Sequence, residues 1–259
     1  MRSTLRFVAL VVVALALFVS ARSAPNAQSV PQRPDLTGVW LGKGIQSLSP
    51  SDPQATKRLG QEGDIPYTAW AIEKMKNTRP ATGPDQTLKE TTDPSLRLAD
   101  PNGYPRASIH PMRFKLVQTG EYIYQLWEYN QAWRQIGINK THDPNVGEAW
   151  YGDSVATWEG DTLVVDVVSL HPSTWLDPVG HPHSDQLHIV ERIRRTDPET
   201  LVFDMTFEDP IAYAKPWSSQ LTFTLDRKGV MTENVYTIVD ESRFRQKFLG
   251  EKSFLPISR

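Results

Sequence analysis

The sequence predicts an all-β protein, an antiparallel β-barrel of about nine or ten strands with a Pro-rich cap that contains a short helix. Three observations predict it. From Met112 onward, apolar residues recur with a period of two, as half-buried strands require. Short turn-forming clusters separate these runs. Finally, 12 of the 20 prolines lie at or before Pro111, and the other eight fall between the strand-like runs. Proline has no N–H to give to a ladder, so that placement leaves the strands intact.

Each element follows in order. Asp35 to Leu41 reads as the first strand. Residues 44–111 then form a long excursion whose one helical piece spans Tyr67 to Asn77, with Trp70, Ile72 and Met75 as a narrow apolar face. A structureless loop of that length is unusual, so the segment is expected to be a packed cap or lid inserted in the barrel domain. Phe114 to Thr119 and Tyr122 to Tyr129 flank Gly120-Glu121, a hairpin signal. Ala132 to Ile138 follows Asn130-Gln131. Ser154 to Trp158 and Thr162 to Leu170 flank the turn Glu159-Gly160-Asp161. His188 to Arg195 and Leu201 to Glu208 flank Thr196 to Thr200, and the second of these strands alternates cleanly, with Leu201, Phe203, Met205 and Phe207 on one face. Gln220 to Asp226 and Thr232 to Val239 complete the set. Closing such a sheet removes its exposed edges. No fixed repeat is visible, which argues against a propeller.

Composition narrows the class. The 259 residues suit one large domain. The absence of cysteine excludes disulfides, iron–sulfur clusters, Cys-based zinc sites and a cysteine nucleophile. A formal charge of −2 offers no basic face, so no nucleic-acid partner is expected. Arg2 and Arg6 precede a 13-residue apolar run, Phe7 to Val19, and small residues follow, as in a signal peptide spanning residues 1–21. Cleavage after Ala21 leaves 26 basic and 30 acidic residues, no stable membrane anchor, and a single barrel domain over 22–259. The expected location is periplasmic or secreted, in a bacterium.

The stretch Asp35-Leu36-Thr37-Gly38-Val39-Trp40 resembles the opening of lipocalin-like (calycin-type) and avidin-like barrels. In those families a Gly-x-Trp begins the first strand and the Trp plugs one barrel end. The lipocalin resemblance implies an Arg stacked over that indole, a role open here to Arg243 or Arg245. The mature chain is also similar to a family of exported bacterial proteins of no settled activity. The likeness runs through Tyr129-Asn130-Gln131-Ala132-Trp133-Arg134, Trp150-Tyr151-Gly152-Asp153-Ser154 and Gly180-His181-Pro182-His183-Ser184-Asp185. It implies a barrel and export, and no particular chemistry.

Candidate chemistry centres on His181, His183 and Asp185. In an extended segment, i and i+2 side chains project to one side, so two imidazoles and a carboxylate can share a divalent metal, completed by His110 or His171. The same groups can act as a general acid and base. The alternative is a Pro-rich turn with solvated histidines. Asp166 and Arg192 lie within apolar strands and are candidates for catalytic side chains; an inward Asp166 would need a cationic partner, and an outward one would face solvent. Gly152-Asp153-Ser154-Val155 imitates a hydrolase block, but a Ser154–His188 pair lacks the α/β context that motif requires. Glu128 and Arg134 read as a cross-strand ion pair. Trp127, Tyr129, Trp133, Tyr151 and Trp175 are the expected ligand-binding rings, since flat faces with polar handles suit sugars and aromatic molecules. The function expected from these features is binding of a small, partly apolar or aromatic/sugar-like ligand in the barrel mouth. The alternative is a lyase, isomerase or hydrolase built on the His-x-His-x-Asp cluster.

Overall fold

A computed structural model describes residues 33–235 and 238–251. The signal segment at 1–21 lies outside the described residues. Nine strands form one closed barrel in sequence order: β1 (Gly38–Gly42), β2 (Arg113–Gln118), β3 (Tyr122–Trp127), β4 (Trp133–Ile138), β5 (Asp153–Glu159), β6 (Thr162–Val168), β7 (His188–Asp197), β8 (Thr200–Glu208) and β9 (Trp217–Leu225). Four short helices accompany them, α1 (Ala69–Met75), α2 (Pro94–Arg97), α3 (Arg106–Ile109) and α4 (Ile238–Phe244), the last running into a π-helical turn at Arg245–Leu249.

The barrel departs from the expected all-antiparallel pattern at one joint. β4 and β5 are parallel, whereas every other neighbour pair, including β9 with β1, is antiparallel. Arithmetic of closure requires this. Each antiparallel joint reverses the strand direction, and a ring must return to its starting direction after an even number of reversals. Nine strands make nine joints, so at least one must be parallel. Residues 139–152 provide the crossover of a dozen or more residues that a parallel joint needs.

The two ends differ. One carries tight turns, at 119–121, 160–161 and 198–199. The other gathers the cap between β1 and β2, the 169–187 and 209–216 loops, and the end of the crossover. Trp40 closes the tight-turn end, fully buried, with Nε1 donating to Leu36 O at 3.1 Å. The cation over its ring is Arg195, 5.3 Å from the centroid, in place of the expected Arg243 or Arg245. Arg195 lies on β7 beside the plug, whereas Arg245 sits in the C-terminal turn and bonds Glu251 and the Arg97 carbonyl.

The lumen is a packed core. Phe114, Phe203 and Phe223 meet with centroids 4.8 to 6.1 Å apart, and Leu116, Ile123, Ile136, Val165, Ile189, Leu201 and Met205 join them in one buried cluster. Aromatic and branched side chains line the axis, and Tyr104 from the cap, fully buried and 6.1 Å from Trp127, lies over it. The nine strands fall within the expected nine or ten, and the strand expected over 232–239 is not one of them: among the described residues Thr232–Val235 makes one bridge, Asn234 with Tyr129.

Candidate functional site

The parallel joint is also where the wall opens. β4 and β5 pair only from Ile136↔Ser154 to Ile138↔Ala156, so the first three residues of β4 have no strand partner on that side. The crossover runs along the outer wall here, and the space between is a groove of about 780 Å³. Strand alternation turns Trp133 outward between buried Arg134 and the β3–β4 turn, and it is 56% exposed. Tyr122, Trp150 and Tyr151, each half-buried, form the other walls, with Lys140, Asp143 and Asp153 at the rim. Their positions are braced from behind. Tyr151 stacks on Trp127 at 5.2 Å, and Trp150 on His171 at 4.4 Å. Burial and the neighbouring Tyr129 push the Tyr151 hydroxyl pKa up, which keeps its proton in place as a donor. Gly152 turns the chain into β5 at φ +67°, where a Cβ would come within 2.7 Å of the Val168 carbonyl.

The inner side of this joint carries a buried ion pair. Arg134 and Glu191 are 1% and 0% exposed at their side chains. Nη1 and Nη2 donate to the two carboxylate oxygens at 3.0 and 2.8 Å, Nε donates to Gln125 Oε1, and Nη2 also donates to the Tyr104 hydroxyl. The guanidinium lies 3.8 Å from the Tyr104 ring centroid. Burial by itself disfavours the Arg134 charge, but Glu191 and Tyr104 more than reverse this and raise its pKa, so Arg134 keeps its charge. The expected Glu128–Arg134 pair is corrected, because the β3–β4 register sets Gln125 opposite Arg134. Glu128 instead accepts from Thr232 and stands 3.8 Å from Arg113. Ser154 Oγ is buried without a hydrogen-bond partner among the described residues. Ser154 points into the barrel while His188 is half-exposed outside, so they form no nucleophilic pair.

The His181 segment is interior, not a surface turn. His181 bonds Asp177 through Nδ1 and Glu62 through Nε2, the latter at 3.1 Å, and so ties the cap to the 169–187 loop. Burial opposes its charge, yet Asp177 and Glu62 raise its pKa to about 10. His183 donates from Nδ1 to the Ser184 carbonyl at 2.9 Å, leaving Nε2 to accept from the Thr174 hydroxyl at 2.8 Å; burial lowers its pKa. Ser184 is bound by Asp209 through both its N–H and its hydroxyl. Asp185 is exposed. The two histidines are thus held by different partners while Asp185 faces solvent, and among the described residues no group of three or more His, Asp or Glu side chains is arranged to hold a metal.

Asp166 and Arg192 both face outward. Arg192 pairs with Glu159 at 2.9 Å. Asp166 Oδ1 accepts from His142 Nε2 at 3.1 Å and His188 Nε2 at 3.0 Å, while His142 Nδ1 donates to Asp153 at 2.8 Å. His142 thereby clamps the crossover to β5 and β6. Both its nitrogens face carboxylates, and although burial opposes the charge, hydrogen bonds to Asp153 and Asp166 raise its pKa.

Of the expected ligand-binding rings, Trp133 and Tyr151 line the groove and Trp127 backs Tyr151. Tyr129 stacks on His110 beneath the cap, and Trp175 lies under Arg106 at 5.8 Å. Arg134 and Glu191 were legible as inward residues by parity, sharing a face with Ile136 and Ile138 on β4 and with Ile189 and Ile193 on β7. Their partnership, across the barrel interior, was not. Comparison with protein-family models, with curated proteins and with solved structures finds no match. Fold and groove define the class: a closed, mixed nine-stranded β-barrel with a packed lumen and an aromatic-walled groove at its parallel joint.

Proposed function

We propose that this chain is an exported barrel that binds a small aromatic or sugar-like ligand in the groove beside the β4–β5 joint. The exposed Trp133 in a groove of about 780 Å³ carries this reading. That volume lies within the range of about 300–1,000 Å³ usual for small-molecule sites. Trp133, Tyr122, Trp150 and Tyr151 supply flat apolar faces, and Lys140, Asp143, Asp153 and the Tyr151 hydroxyl supply polar contacts at the edges, the combination that suits rings bearing hydroxyls. Export to a bacterial periplasm or medium rests on the basic start and apolar run of residues 1–21 and on the resemblance to exported bacterial proteins.

Saturation-transfer NMR with cellobiose, maltose and phenyl β-glucoside tests the proposal on the wild type and Trp133→Ala. The wild type should bind at least one probe, and the variant should lose at least about tenfold in affinity, roughly 1.4 kcal/mol, without a change in melting temperature. Absence of transfer to every probe, or undiminished binding by the variant, would overturn it.

A further inference from the structure

Trp133 borders more than the seam groove. Its side chain also lines a second trough, of about 540 Å³, on the outer face of the sheet. Register explains the floor of that trough. Trp133 stands opposite Leu126 on β3, and Leu126 opposite Lys115 on β2, so the three form one row across the strands. Their neighbours Phe114, Leu116, Gln125, Trp127 and Arg134 are buried, and alternation therefore turns the row outward. At about 4.8 Å between adjacent strands, the row carries the surface roughly 10 Å beyond Trp133. The far wall is the segment Met231-Thr232-Glu233. It is tied to the β3–β4 turn: Thr232 donates to Glu128 Oε1 from its N–H at 2.8 Å and its hydroxyl at 2.5 Å, and the Asn130 N–H donates to the Asn234 carbonyl at 2.6 Å. The fold thus builds this wall as firmly as the groove on the other side of Trp133.

The nature of the occupant follows from size and chemistry. Each space by itself lies within the range of about 300–1,000 Å³ usual for one small molecule, and the two together exceed it. Both have the same make-up. In the second trough Leu126 and Met231 give an apolar floor, with Lys115, Gln131 and Glu233 as polar groups around it. In the groove, aromatic walls are edged by Lys140, Asp143 and Asp153. Two similar spaces in series, divided by one indole, suit a ligand that repeats. Each rim carries charges of both signs, which gives a polyanion or polycation no complementary field. A chain of neutral sugar rings asks the same of each space, a flat apolar face and polar groups at the edges.

We infer that the ligand of the seam groove is a linear, neutral oligosaccharide that crosses Trp133 and lies in both spaces, with Leu126 and Met231 beneath it in the second. This assignment rests on the sugar reading of the groove. Contacts in two adjoining spaces share one association step, so affinity should climb with chain length. Calorimetry with cellobiose and cellohexaose, and with maltose and maltohexaose, reads that climb as the ratio of the two affinities within each series. Met231→Arg and Leu126→Arg each lay a long charged side chain across the second trough. Both positions are half-buried on the outer surface, outside the packed lumen. The ratio compares two sugars on the same protein, so a loss of stability does not imitate the effect.

A hexaose presents several overlapping disaccharide units, so a small gain is statistical, and a gain above about tenfold reports the second contact. The wild type should exceed that in at least one series, and each variant should fall below it. Should one variant fail to fold, the other still reads the trough. Disaccharide binding that Trp133→Ala weakens, with no larger gain for the hexaose, leaves the groove reading standing and overturns the extended site. Binding of phenyl β-glucoside alone, or a gain with length that the folded variants retain, overturns it as well. No binding by any sugar overturns both.

Discussion

Removing the Arg134 head group is the sharpest test of the barrel interior. Arg134→Met leaves the Glu191 carboxylate at 0% exposure without its bidentate partner. A buried charge stranded in this way costs about 3–5 kcal/mol. Gln125 Oε1 and the Tyr104 hydroxyl also lose a donor, at about 1 kcal/mol each in net terms. With a urea m-value of about 2–3 kcal/mol/M, the charge effect alone lowers the midpoint by about 1–2.5 M. Arg134→Met with Glu191→Leu removes both charges and replaces them with apolar volume. That double variant should recover all but about 1–2 kcal/mol, the share belonging to Gln125 and Tyr104. Urea titrations of the wild type, both single variants and the double variant give the coupling energy directly. The reasoning fails if Arg134→Met costs under about 1 kcal/mol, which would mean that water reaches the pair through the open joint. It fails equally if the double variant is no more stable than Arg134→Met alone.

Two further predictions concern pH. His181 has its folded pKa raised to about 10 from an ordinary 6.5. Its contribution is therefore fully present below pH 6.5 and declines as pH rises through about 10, by an upper bound of order 5 kcal/mol at 1.36 kcal/mol per pKa unit. Urea titrations from pH 6 to 10 should show this fall, with His181→Gln giving a flatter profile; equal slopes for the two proteins would refute the assignment. His142 also has a raised folded pKa, so the clamp it forms with Asp153 and Asp166 holds below pH 6.5 and is released as pH rises through the folded value. Hydrogen exchange across residues 139–152, corrected for intrinsic rates, should lose protection on that rise in the wild type and be pH-insensitive in His142→Ala. Protection unchanged with pH in the wild type would exclude the clamp.

How much of this was legible in the sequence varies by element. The clean alternation of Leu201 to Phe207 identifies β8 because a period of two is a property of one strand. The turn at Gly160-Asp161 was visible for a similarly local reason, and proline marked where the cap ends. The groove was visible only in part. Trp133 and Tyr151 stood out as rings with polar handles, but nothing in their neighbourhood says that β4 lacks a partner beside Trp133. The His181 segment misled because i and i+2 spacing shows which side chains start out together, not which partners compete for them. Asp177 and Glu62 claim one of these histidines, Thr174 and the Ser184 carbonyl the other.

The sequence by itself determined most of the strands and where the cap ends, because periodicity, turn chemistry and proline act over a few residues. Tertiary structure decided that the ring closes at nine strands, and with that number came the parallel joint, the crossover and the groove between them. It also decided that Arg134 meets Glu191 across 57 positions of sequence. Such outcomes depend on which edges remain unpaired after every other strand has found its neighbour, and that is a property of the closed barrel, not of any one segment.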